Sequence, residues 1–259
     1  MGEPVTRTQP AVDDHFVKEG SRVEVVRGIL VMAPPAEEPH AALHFSLAYL
    51  LGAHVAPGYS GAVDLLTRSG LDSDFAPDAS IYPSERDPST GGRKLEELAF
   101  EVADSQPLDA AGEKARELVR RGVRRVFCIV VKHGRVLEWS HETDGWSPLP
   151  ASASIEDRCL VAPLPVRALV DAASTDAAII GALVARRSPA LLALQASARS
   201  EGRSEGAAAA LLAVLRARGL EPSESDVAAV RAASSALLER WLARVVSVAS
   251  VGELLRDRE

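Results

Sequence analysis

Aromatic residues are scarce, with five Phe, three Trp and three Tyr in 259 residues. A core must therefore be built mostly of Val, Leu, Ile and Ala. Cysteine is scarcer still. The two present, Cys128 and Cys159, can form neither a disulfide framework nor a four-thiolate zinc site. A reducing cytoplasm is the expected compartment. No run of about 18 uncharged apolar residues occurs, so no membrane span is expected. Met1 to Asp14 lacks the apolar stretch of a secretion signal. A Gly-rich phosphate cradle is also missing, since Gly91-Gly92 reads as a flexible loop tip. What is present is globular in kind: 47% hydrophobic and 25% charged residues, enough apolar material for one large domain or a domain with an appendage.

Acidic residues outnumber basic ones, 36 to 29, for a net charge of −7. Such a balance argues against coating nucleic acid with the whole surface. The charge is uneven, however. Lys114 to Arg135 carries eight basic residues and one acid, and Asp72 to Asp104 carries nine acids and three basic residues. A basic strip beside an acidic cluster suits metal-dependent phosphodiester chemistry, and it also describes many solvated surfaces. Arg116, Arg120, Arg121 and Arg124 are the candidate DNA contacts in that strip.

Residues 1–14 are polar and without pattern, and are expected to fray. Arg22 to Met32 reads as two short strands about a turn at Arg27-Gly28. Leu43, Leu47, Leu50 and Leu51 mark an amphipathic helix from Pro39 to about Val55. Strands are expected at Ala62–Thr67, Ala79–Tyr82 and Leu98–Ala103. A helix at Ala110–Arg121 is stopped by Gly122, and a hairpin follows from Val126 to Trp139, turned at His133-Gly134. Strands with one helix inserted before the last hairpin predict an α/β sheet of mixed direction. The core is placed at residues 15–172. Residues 173–259 are expected to form an α-helical appendage, with helices at Ala178–Ala198 and Ala207–Arg218. A last helix opens at Ser223 and Asp226, which are spaced as a capping box. Its stripe of Val230, Leu237, Leu238, Trp241, Leu242, Val245 and Val248 must pack on the other C-terminal helices or on a second subunit.

Three residues stand out chemically. Asp78 follows Pro77, which keeps the chain extended at the mouth of a strand. Glu101 lies mid-strand among apolar residues, where an unpartnered buried carboxylate costs several kcal/mol. Its same-face neighbours Ala99 and Ala103 are small enough to leave room above it. Lys114 shares a helical face with Leu118 and could reach back toward Glu101. Strands lie about 4.8 Å apart when paired, so Asp78 and Glu101 could converge on one hard divalent cation. Oxygen-only ligation suits Mg²⁺, and a nearby lysine could orient water or stabilise charge. These are the parts of a metal-dependent nuclease. Each residue also has a plain reading, as a cap, an exposed strand residue or a surface lysine. His40 and His44 are four apart, a spacing that invites a zinc reading. An HExxH zinc hydrolase needs Glu where Ala41 stands, and no third ligand is evident. A histidine facing the active-site cleft, or one satisfied within the core, is expected instead.

The order of these motifs resembles a known family. Arg22 to Pro35 is similar to its opening hairpin, with His40 at the start of the next helix. Ala76-Pro77-Asp78 resembles its proline–aspartate motif, Phe100-Glu101-Val102 its glutamate strand, and Gly112-Glu113-Lys114 its lysine helix. The family is the Uma-type restriction endonucleases, a branch of the PD-(D/E)xK nuclease superfamily, and the resemblance spans about residues 15–140. It implies a restriction-endonuclease-like mixed sheet flanked by helices. It also implies Asp78 and Glu101 as metal ligands, Lys114 as the catalytic lysine, and DNA as substrate. The superfamily's basic pattern puts the lysine two residues after the glutamate. That position is Ala103 here, so Lys114 would substitute from the helix. Glu24, His40 and Gln106 are second-tier candidates. The expectation is a Mg²⁺-dependent DNA endonuclease, with Mn²⁺ as a possible substitute and a dimer formed through the C-terminal helices. The alternative is a catalytically idle nuclease fold that binds DNA or serves assembly.

Overall fold

The computed structural model describes residues 9–18, 20–33, 38–103 and 108–256. It divides into two compact units, Met1–Arg186 and Arg187–Glu259.

The first unit opens with a hairpin, β1 (Val23–Val26) and β2 (Ile29–Met32), turned at Arg27 and Gly28, both at positive φ. Helix α1 (Glu38–His54) follows, then β3 (Tyr59–Val63), β4 (Thr67–Arg68), β5 (Asp74–Phe75), β6 (Ala79–Pro83) and β7 (Leu98–Ala103). Helix α2 (Leu108–Arg121) leads into β8 (Arg125–Val130), β9 (Arg135–Ser140) and β10 (Gly145–Pro148). Two short strands, β11 (Ser154–Ile155) and β12 (Leu164–Pro165), and helix α3 (Ala172–Ala185) complete the unit.

The main sheet has six strands in the order β10-β9-β8-β7-β6-β3. Only β7 and β8 run parallel; the other neighbours are antiparallel. A parallel pair needs a crossover, and α2 supplies it. The expected mixed α/β architecture is therefore present. A smaller sheet, β2-β1-β5-β4, holds the opening hairpin.

Strand β7 is buried along its whole length, as a strand covered on both faces should be. Leu98, Phe100 and Val102 point into one core with Leu47, Leu50 and Leu51 of α1 and Ile179 and Ala182 of α3. Ala99 points into a second core with Ala115 and Leu118 of α2. By alternation Glu101 shares the α2 side. Helix α2 lies close to the sheet because it is small where it touches. A Cβ on Gly112 would come within 3.3 Å of the Trp139 ring.

Two readings of the first unit differ from the sequence expectation. The strand expected over Ala62–Thr67 is broken, because Asp64 takes a left-handed conformation with φ of 49° and passes the chain from the main sheet to the small one. Strand β10 was not anticipated; Trp146 packs edge-on against Trp139 with ring centroids 5.0 Å apart.

The second unit contains α4 (Pro189–Ala217), α5 (Glu224–Arg231), α6 (Ser235–Arg244) and α7 (Val251–Leu255). Helix α4 runs unbroken through the two Ser-Glu-Gly repeats. The helix expected over Ala178–Ala198 breaks at Arg187, which has positive φ, and Pro189 restarts it at the first turn, where its missing N–H costs nothing. The Ser223–Asp226 capping box forms as expected, but the long final helix is three shorter ones. Ser234 and Ser250 cap the second and third by accepting the N–H groups of Leu237 and Glu253. The apolar stripe is buried against Leu211, Leu212 and Leu215 of α4.

Candidate active site

Helix α2, strands β1, β6 and β7 and the start of α1 meet at one end of the main sheet. In the β6–β7 register Ala79 lies opposite Phe100. Carrying that register back one residue sets Asp78 opposite Glu101, so the expected pairing of the two acid-bearing strands is observed. Asp78 Oδ2 accepts a hydrogen bond from the Val102 N–H at 2.5 Å. This fixes its carboxylate directly beside the Glu101 position.

The crossover helix brings Lys114 back over the same end. Its Nζ lies 3.8 Å from Glu101 Oε2 and 2.8 Å from Glu24 Oε2. It also donates to the Ala76 carbonyl at 3.4 Å. Glu24 uses its other oxygen to accept the Ala76 N–H at 3.0 Å. Glu24 thus ties the lysine to the segment that carries Pro77 and Asp78. Glu101 Oε1 is buried and has no hydrogen-bond partner among the described residues.

The electrostatics follow from this packing. Burial drives the Glu101 carboxyl well above its ordinary value; Asp78, Glu24 and Asp64 add to the rise, and Lys114 opposes it. Burial works against the charged form of Lys114, but Glu101, Glu24 and Asp78 outweigh it, so the ammonium is held more firmly than usual. For Asp78, burial is outweighed by the His44 ring, the Val102 N–H and Lys114, and its carboxyl sits below the ordinary value. The result is one ionised acid, one acid whose charge is costly, and a fixed cation.

The structure therefore brings together Asp78, Glu101, Lys114 and Glu24. His40 lies beside Asp78, with Nε2 3.9 Å from Oδ1. Gln106 falls outside the described residues. The four arginines are engaged within the chain. Arg116 pairs with Glu113 and Asp144, Arg120 with Glu117, and Arg124 with Glu97 and Asp157. Arg121 donates to Gln9 and to the Pro10 carbonyl. The sequence paired His44 with His40 by spacing but offered no third ligand; in the structure His44 Nε2 lies 3.4 Å from Asp78 Oδ1 and 3.7 Å from Asp64 Oδ1. The four-residue spacing from His40 was the available signal. The acid that completes the cluster comes from a different strand.

The family model described as "Uma2: Putative restriction endonuclease" matches residues 11–166, more than half of the chain. The chain belongs to the Uma2 family. Uma2 membership agrees with the resemblance seen in the sequence and places the chain in a restriction-endonuclease class of nucleases. A crystal structure titled as a putative nuclease of DUF820 from Anabaena variabilis is similar at 13% identity and a TM-score of 0.47, over 57% of this chain and 88% of that one. No curated protein matches. Nucleases of this kind generally use a divalent metal ion, and at this site Asp78, together with His40 and His44, presents ligand atoms close enough to one another to hold an ion. No single helix among the described residues is long and apolar enough to cross a membrane.

Proposed function

We propose that this Uma2 chain is a Mg²⁺-dependent DNA endonuclease in which Asp78 and Glu101 hold the metal and Lys114 serves the attacking water. The observation that carries the reading is the buried, unpartnered Glu101 Oε1 beside Asp78 and a fixed ammonium. An uncompensated buried carboxylate is costly, and a hard cation would satisfy it with the oxygen ligands that Mg²⁺ prefers. When bound, the ion supplies Lewis-acid polarisation of a phosphoryl oxygen and eases ionisation of water. Lys114 holds a positive charge over Glu101, where it can orient that water and stabilise charge developing on the phosphate. Glu24 is a positioning residue, because both of its oxygens are already spent on Lys114 and Ala76. Mn²⁺ has similar ligand preferences and should substitute.

The idle-fold alternative is disfavoured by Lys114, which reaches Glu101 from α2 although Ala103 occupies the usual lysine position. DNA as substrate rests on the restriction-endonuclease family. Contact from α2 falls first to Arg120, whose side chain is 59% exposed. A dimer through the C-terminal helices is supported by exposed apolar residues in that region, with Leu194 on α4 66% exposed and Val246 in the turn after α6 70% exposed. Two free, buried thiols fit a reducing cytoplasm.

The test is plasmid cleavage in Mg²⁺. Wild type should nick or linearise DNA and stop in EDTA, and Glu101→Ala and Lys114→Ala should each lose about 100-fold or more. Equal cleavage by all three proteins would overturn the reading.

A further inference from the structure

The cluster at the start of α1 has a chemistry that Mg²⁺ does not use. His40 and His44 stand one turn apart on α1, with ring centroids 5.6 Å apart. Their Nε2 atoms lie 3.9 and 3.4 Å from the same oxygen, Asp78 Oδ1. One ligand atom from each of the three residues falls within 4.8 Å of the other two. Ligands around a tetrahedral zinc with bonds of 2.0–2.1 Å are about 3.3 Å apart, so small side-chain rotations close this set on one ion.

Hydrogen bonding alone leaves the arrangement incomplete. His44 Nε2 is buried and makes no aligned hydrogen bond, although Asp78 is at contact distance. A buried nitrogen without an aligned hydrogen bond is costly. Asp78 meanwhile has its Oδ2 occupied by the Val102 N–H, which leaves Oδ1 facing the two imidazoles. Asp64 Oδ1 adds a further negative charge 3.7 Å from His44.

We propose that His40, His44 and Asp78 form a site for a nitrogen-preferring divalent transition ion of the Zn²⁺ class, distinct in ligand type from the acid pair. Two imidazoles and one carboxylate favour Zn²⁺, Co²⁺ or Ni²⁺ over Mg²⁺. The remaining coordination positions go to water. The site deepens the nuclease reading because Asp78 belongs to both. A Zn²⁺ ion on Oδ1 takes an oxygen that the Mg²⁺ site also needs.

The experiment is calorimetric titration of ZnCl₂ into tag-free full-length protein, with circular dichroism to confirm folding of each variant. Wild type should bind one Zn²⁺. His40→Ala and His44→Ala should weaken it at least tenfold, and Glu101→Gln should change it less than threefold. Titration of wild type with Co²⁺ alone, followed by proton NMR, should give two strongly shifted exchangeable imidazole N–H signals; this needs no variant to fold. Absent Zn²⁺ binding, unchanged affinity in both histidine variants, or no shifted imidazole signals would overturn the site. Mg²⁺-dependent plasmid cleavage separates the two claims. Cleavage by a wild type that binds no Zn²⁺ leaves the nuclease reading standing alone. Histidine-dependent Zn²⁺ binding without cleavage leaves the metal site alone.

Discussion

At Glu101 the proposed function and stability oppose each other. Its carboxylate lies in a strand buried from end to end, with one oxygen lacking a partner. Ordinary sheet packing does not call for a charge there. Replacing it with a neutral isostere should therefore stabilise the metal-free protein. Glu101→Gln is expected to raise the melting temperature in EDTA by about 2–4 °C, the equivalent of about 1 kcal/mol in a chain of this size, while abolishing Mg²⁺-dependent cleavage. Scanning calorimetry with and without Mg²⁺ measures the first effect, and a fall in melting temperature would count against the account. The importance of Glu101 was legible in the sequence because a charge amid Leu, Phe and Val breaks the pattern. His44 was not legible in the same way. Its partners, Asp78 and Asp64, are distant along the chain, and only the pairing of β3 with β6 brings them to α1.

At the scale of elements, the approach of α2 to the sheet sets where Lys114 sits. The close contact is Gly112 against Trp139 and Trp146. A large side chain at this position must push the helix outward. Gly112→Leu should cost about 1–3 kcal/mol by overpacking and reduce cleavage more than binding, because the lysine is displaced while the metal ligands remain. Urea unfolding and a kcat-against-KM comparison test both halves. The segment holding β11 is anchored electrostatically. Arg124 Nη2 is 2.6 Å from Asp157 Oδ1, and the Asp157 side chain is almost fully buried. Burial opposes ionisation of Asp157, but Arg124, the Cys159 thiol and the Cys159 N–H outweigh it and hold its carboxyl below the ordinary value. A depressed folded value means that the stabilisation is complete above about pH 4, the unfolded value, and is lost as pH falls toward the folded one. Asp157→Asn should therefore cost about 2 kcal/mol at pH 7 and should flatten the acid limb of the urea-midpoint profile. An acid limb matching that of wild type would contradict the assignment. Most elements here were readable from periodicity and from caps. The misread ones turn on single residues. Asp64 and Arg187 adopt left-handed conformations that composition does not announce, and Ser234 and Ser250 cut the last helix with caps that the apolar stripe conceals.

At the scale of the molecule, the two units carry separate cores, and separate tasks are proposed for them. Residues 1–186 contain the whole acid–lysine cluster. A 1–186 fragment should therefore retain Mg²⁺-dependent cleavage. Sedimentation should find the full chain dimeric and the fragment monomeric; an unchanged mass would remove the C-terminal helices as the interface. The resemblance in the sequence covered only the first unit, and the family match covers the same part of the chain. The central claim remains the gathering of two acids and an amine on one divalent ion. Its most direct measurement is a Mn²⁺-soaked crystal examined by anomalous scattering. The account predicts a peak within coordination distance of both Asp78 and Glu101, with Lys114 alongside. Anomalous density that nowhere touches Glu101 would contradict it.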